Sequence, residues 1–168
     1  MSPRLLRWGM NFWPPFRGAG IRVRRIADDW SEARVELRHG LLNRNFVGTA
    51  YGGSLYSMTD PFYALLLIHR LGERYLVWDQ AASIDFVAPG RGTVSAVFSL
   101  NEQRVQAIRD QVAAGQKALP QFDVEIKDQS GALVARVRKI LYVRLKPRFR
   151  PPDKGGRELA SGGFSKNS

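Results

Sequence analysis

The sequence predicts an α+β fold of about six strands with two helices, one strongly apolar and early, the other inserted later. Three observations carry this. Several short stretches alternate apolar and polar residues with the period of a half-buried strand. The late strands follow one another as hairpins and so pair antiparallel. Between the early and late strands, Leu55, Met58, Phe62, Leu65 and Leu66 recur at helical spacing.

Taken in order, residues 22–26 and 32–37 alternate as two strands, with Asp28-Asp29 marking the turn between them. Residues 43–53 are rich in Asn and Gly and read as a loop. The helix follows over 53–71, with Gly72 where a C-terminal cap belongs. Residues 75–87 form a long strand, 88–92 a turn, and 93–100 the returning strand. Asn101 is a good N-cap for a second helix over 102–114, ended by Gly115. Strands 121–127 and 132–144 flank the hairpin loop Asp128-Gln129-Ser130-Gly131. The domain thus occupies 20–146. An amphipathic segment, 1–19, precedes it, and a basic tail over 147–168, rich in Pro, Gly and Ser, follows and is expected to be flexible.

The chain has 168 residues, 44% apolar and 24% charged, enough for one domain with a sizeable core. It has no cysteine, which excludes disulfides, cysteine-bearing zinc sites and thiolate chemistry. No apolar run approaches the ~20 residues that span a bilayer. The first residues lack the continuous apolar stretch of a signal peptide. A cytoplasmic protein is the expectation.

The formal net charge of +11 invites a nucleic-acid reading, but its distribution argues against one. Residues 1–25 hold six arginines and no acid, residues 147–168 are again basic, and the body between is nearly neutral. No nucleic-acid partner is expected. Leu5, Leu6, Trp8, Phe12 and Trp13, interleaved with arginines, predict an amphipathic helix. Its apolar face is expected to pack on the domain or on a neighbouring subunit, with a membrane interface as the less favoured alternative.

Most common catalytic machinery is missing. His39 and His69 are not at ligand spacing with each other or with acids, so no metal site is expected. Ser54 lacks the final glycine of a nucleophile elbow, and Gly18-Ala19-Gly20 lacks the third glycine of a dinucleotide fingerprint. One constellation remains. Gly52 and Gly53 enter the helix with unshielded N–H groups, which favour a developing negative charge such as the oxyanion of an attacked carbonyl. Asp60 lies seven residues on, among Tyr56, Phe62 and Tyr63, a carboxylate suited to act as nucleophile or general base. Asp60-Pro61 is also what a plain helix start looks like, with Asp60 as N-cap. Pro61 inside a continuous helix costs ~3 kcal/mol unless the helix kinks.

The series Asn45, Gly48, Tyr51, Gly52, Gly53, followed by Asp60, resembles the hotdog-fold acyl-CoA thioesterases, in particular the phenylacetate-type branch. That pattern reads Asn-x-x-Gly-x-x-His-Gly-Gly, so Tyr51 stands here in place of the histidine. The stretch 82–93 resembles the strand and turn after that fold's central helix, and the likeness covers roughly 20–145. Asp60-Pro61 and the run 75–79 point to a bacterial subgroup. The resemblance implies a six-stranded antiparallel sheet wrapped around the helix, in a homodimer or a dimer of dimers, with sites at the subunit interface. It implies that the Gly53 N–H polarises a thioester carbonyl, that Asp60 of the other chain attacks it or activates water, and that Asn45 orients water or substrate. It also implies an acyl-CoA substrate, contacted by Gly48, Tyr51, Gly52, Tyr56 and Arg91, with coenzyme A present only as part of that substrate. Two further readings stand beside it: a non-catalytic acyl-thioester-binding hotdog protein, and a binder of anionic surfaces through the basic ends. A hotdog hydratase is the weaker enzyme alternative, because that branch's Asp…His dyad is absent.

Overall fold

The computed structural model describes residues 1–40 and 43–152. Two short helices open the chain: α1 (Pro3–Phe12) and α2 (Pro14–Ala19). The Ser2 side chain accepts the Leu5 N–H and Pro3 takes the first helical position, so α1 starts where its orphan N–H groups are best met. Pro14 separates the two helices, and Gly20, at φ 75°, ends the second. Then come β1 (Ile21–Ile26), β2 (Glu32–Arg38), α3 (Gly52–Ser57), α4 (Phe62–Leu71), β3 (Tyr75–Phe86), β4 (Thr93–Ser99), α5 (Glu102–Val112), β5 (Gln121–Lys127) and β6 (Leu133–Leu145).

All six strands join one antiparallel sheet in the order β1-β2-β4-β5-β6-β3. The hairpin β5-β6 falls where the sequence places it. The pairing of β3 does not. The sequence reads 93–100 as the strand returning from 75–87, yet β4 lies between β2 and β5, and β3 lies at the far edge beside β6. Two facts account for this. β6 is long enough to hold β3 in register from Tyr75–Leu145 to Phe86–Ala135. The intervening turn carries Gly90 and Gly92, and Gly90 approaches Ala50, whose N–H it accepts at 2.9 Å.

Helix α4 supplies Phe62, Tyr63, Leu66, Leu67 and Leu71 to the core, against inward residues of the sheet such as Phe98, Val124, Val137 and Leu141. Phe62 and Tyr63 meet the Phe98 ring at 4.9 and 5.3 Å, and Tyr63 stacks on Phe122 at 4.4 Å. Each such side chain contributes about 1.5–3 kcal/mol by leaving water. Burial pushes the Tyr63 phenol up to about 12, and its hydroxyl donates to the Asp123 carbonyl. Helix α5 begins at its Asn101 cap as expected but ends at Val112, short of residue 114. Of the C-terminal stretch, Pro147–Phe149 forms one 3-10 turn; the expectation for 153–168 lies outside the described residues.

The two sheet edges are treated differently. Asn11 of α1 donates to the Val23 carbonyl at 3.1 Å and accepts the Val23 N–H at 2.8 Å, filling the outer edge of β1 with a side-chain amide. Beyond β3 no strand or side chain of the described residues pairs, although the strand is 12 residues long. Replacing Asn11 by Ala removes both bonds at β1, and urea denaturation is expected to show a loss of about 1–2 kcal/mol.

Candidate functional site

The helix expected over 53–71 is interrupted. Met58 to Pro61 form turns between α3 and α4, and Pro61 is the reason. In a continuous helix the Ser57 carbonyl would lack its donor at position 61; here the Asp60 N–H takes it at 3.3 Å. The Thr59 hydroxyl bonds the Tyr56 carbonyl, and Pro61 accepts from Leu65 to start α4. Asp60 is therefore not the N-cap of α4: Pro61 holds that position and no side chain caps it. The Asp60 carbonyl and carboxylate are left outside any helix, and both turn to Lys139.

Lys139 is the residue that sequence reasoning misses. Its side chain is 0% exposed, at an inward position of β6. An ammonium out of water needs partners for all three N–H donors. Lys139 Nζ lies 2.9 Å from the Asp60 carbonyl, 3.3 Å from Asp60 Oδ1 and 3.2 Å from Asp79 Oδ2. The Tyr56 ring centroid is 5.3 Å away. Asp60 remains 53% exposed, so its second oxygen faces outward with no described partner. Asp79 follows Trp78 at an irregularity in β3, where the register with β6 shifts. Its Oδ1 is buried without a hydrogen bond, and burial raises its pKa above the usual carboxylate range. Repulsion from Asp60 adds to that rise, while Lys139 opposes it.

The glycine turn forms a second group. Asn45 closes a tight loop: its Oδ1 accepts the N–H groups of Val47 and Thr49, and its Nδ2 donates to Thr49 Oγ1 at 2.9 Å. Gly48, at φ 76°, makes that loop possible. Tyr51 is exposed and precedes α3, and the N–H groups of Gly52 and Gly53 find no acceptor among the described residues. Both glycines have a packing reason too. A Cβ on Gly52 would approach the Phe86 ring to 3.0 Å, and one on Gly53 would meet the Tyr51 ring at 2.4 Å. Asn45, Thr49, Gly52 and Leu55 line a cleft of about 380 Å³ with residues 86–90. Arg91, next to it, is exposed and makes no ion pair among the described residues.

Within one chain the expected residues thus form two clusters. Asn45, Gly48, Tyr51, Gly52 and Gly53 gather at the start of α3. Asp60 and Tyr56 gather at its end, with Lys139 and Asp79, and none of these four lines the cleft. Lys139 could have been found from its phase. It alternates with Val137 and Leu141 on the inward side of β6, where a charge demands partners.

The model of a family described as a domain of unknown function (DUF4442) matches residues 3–143. No curated protein matches the chain. Among solved structures, a Pseudomonas aeruginosa protein described as a probable thioesterase is similar at a TM-score of 0.76 and 17% identity, covering 87% of this chain and 97% of that one. A Haemophilus influenzae thioesterase is similar at 0.63 and 13%, covering 86% and 92%. A Chlorobaculum tepidum protein of unknown function is similar at 0.67 and 14%, covering 86% and 98%. These likenesses show the hotdog fold.

The raised pKa of Asp79 gives a signed test. A carboxyl whose folded pKa exceeds its unfolded one contributes stability below the ordinary range and loses it as pH rises through the folded value. The stability of the wild type relative to Asp79→Asn is therefore expected to decline as pH rises from about 4 toward neutrality. Urea melts at a series of pH values read this slope. A relative gain of the wild type over that range contradicts it.

Proposed function

The chain belongs to the DUF4442 family, and we propose that in this member the hotdog frame serves a thioesterase that hydrolyses an acyl-coenzyme A. The observation that carries the reading is the half-exposed Asp60 carboxylate, presented at the break of the central helix and anchored on one oxygen by buried Lys139. A carboxylate fixed on one oxygen and open on the other is suited to attack a carbonyl carbon or to take a proton from water. The thioesterase descriptions of two similar structures agree with this chemistry.

The site we propose needs two chains. Within one chain Gly53 stands at the start of α3 and Asp60 in the turns past its end, in separate clusters. A second copy supplies what is lacking. Edge β3 is long, unblocked and lined by the small exposed residues Ala81, Ala82 and Ser83, so two copies can join there in one sheet. Across that junction Asp60 of one copy faces the Gly52-Gly53 turn of the other. The Gly53 N–H then stabilises the oxyanion as Asp60 attacks or activates water. The apolar cleft beside Phe86 and Val87 takes the acyl chain, and Arg91 at its rim meets the anionic coenzyme. Asn45 holds the loop that aims the glycine N–H groups, since its carboxamide is committed to Val47 and Thr49.

The anchoring of Asp60 also favours a second reading, a protein that binds acyl thioesters without cleaving them. One experiment separates the two. Release of free coenzyme A thiol is followed for the wild type and for Asp60→Asn, which keeps the carbonyl contacts to Lys139. The variant is expected to fold, by circular dichroism, and to lose about 10²–10⁴-fold in kcat/KM. Undiminished turnover would remove Asp60 from the mechanism. Calorimetric binding of acyl-CoA with no thiol release by the wild type would establish the second reading.

A further inference from the structure

Helix α1 has three faces with different fates. Pro3 and Met10 are buried, and Leu6 packs partly against the core. Arg7 and Asn11 turn to β1, where Arg7 donates to the Arg24 carbonyl and Asn11 pairs with Val23. The third face covers nothing. Leu5 is 57% exposed, Trp8 61% and Phe12 54%, and Trp13 just beyond is 50% exposed. The packing on the domain expected for this apolar surface is thus limited to Pro3, Leu6 and Met10. At 100° per residue, Leu5, Trp8 and Phe12 fall within an arc of roughly 60°. With Met1 and Gly9 they bound an apolar groove of about 500 Å³.

Cations lie beside this patch and on the β1-facing side of the same segment. Residues 1–25 contain six arginines and no acid. Arg7, Arg22, Arg24 and Arg38 line an adjoining polar basin, and the Arg17 guanidinium lies 6.0 Å from the Phe12 ring centroid. The nearest carboxylate to Arg4, that of Asp28, is 3.9 Å away with both side chains largely exposed.

We propose that α1 and the start of α2 form a membrane-docking surface that lies in the headgroup layer of an anionic bilayer. Leu5, Trp8, Phe12 and Trp13 enter the boundary between headgroups and acyl chains, and the arginines meet lipid phosphates. Charge complementarity selects this occupant. A second copy laid on the patch would bring two acid-free, arginine-rich segments together, whereas an anionic surface pairs with both the aromatic and the cationic parts. Topology leaves the surface open as well. Helix α1 flanks β1, at the opposite end of the strand order from β3, so a pairing of two copies through β3 does not cover it. The helix lies on the bilayer rather than across it. Its ten residues span roughly 15 Å, and no described helix is long and apolar enough to cross.

The full-length protein is mixed with vesicles of phosphatidylcholine alone or of phosphatidylcholine with phosphatidylglycerol, then sedimented. Binding is expected to the anionic vesicles, weakly to the neutral ones, and to fall with added salt. The double variant Trp8→Ser with Phe12→Ser alters only exposed side chains and keeps every charge. It is expected to lose roughly tenfold or more of the partition coefficient and the blue shift of tryptophan emission. A second variant, Arg4→Glu with Arg22→Glu, is expected to bind anionic vesicles less while leaving thermal unfolding unchanged. Three results overturn the proposal: no binding to anionic vesicles, undiminished binding by the serine variant, or a smaller oligomer of that variant in lipid-free solution. The last would assign the patch to contact between copies.

Discussion

A lysine ammonium taken wholly out of water is costly unless every donor is met, and Lys139 organises the site around that requirement. Its three acceptors come from two parts of the chain: the helix break at Asp60 and the edge strand β3 at Asp79. Sheet, central helix and edge are thereby fixed to one another at a single point. The break itself is imposed by Pro61, which denies the Ser57 carbonyl its helical donor and leaves Asp60 between the two helices. Without the lysine that carbonyl and two carboxylates would converge with no cation between them. Without the carboxylates the lysine would be an uncompensated charge in an apolar core. The interaction is thus as much a constraint on geometry as a source of stability.

The edges of the sheet carry a second constraint. Asn11 and α1 close the β1 edge from within the chain, so further pairing is left to β3 alone. The closed edge carries the aromatic and cationic surface. The open edge carries Asp79 and, through Phe86, borders the cleft at the start of α3. As proposed, assembly and chemistry share the open edge, and surface attachment takes the closed one.

Much of this is legible from residues alone. The β5-β6 hairpin, the Asn101 cap and the apolar face of α4 follow from alternation, capping chemistry and helical spacing. The Asn45-to-Gly53 series marks the loop and helix start, of which Asn45 and Gly52 line the cleft. Long-range choices are less legible. Residues 75–100 look like a hairpin because a turn with two glycines joins two strands, and nothing local reveals that β6 is the better partner for β3. Asp60-Pro61 signals a helix boundary but not which side Asp60 falls on, because its carboxylate is claimed by a lysine 79 residues away. Leu5, Trp8 and Phe12 have the spacing of a packed face, and only the fold shows that α1 turns them outward.

The central claim is that Asp60 and the Gly52-Gly53 turn act together across two copies. Mixed oligomers test it directly. Gly53→Pro removes the N–H donor at a first-turn position, where a helix tolerates proline, and its Cβ displaces the exposed Tyr51 ring. Chains carrying only that change are unfolded and refolded together with chains carrying only Asp60→Asn, each inactive alone. A site shared between copies predicts that thioester hydrolysis returns, to about a quarter of the wild-type rate for random pairing, because each hybrid keeps one intact site. Hybrids as inactive as their parents would place both groups in sites within single chains and contradict the account.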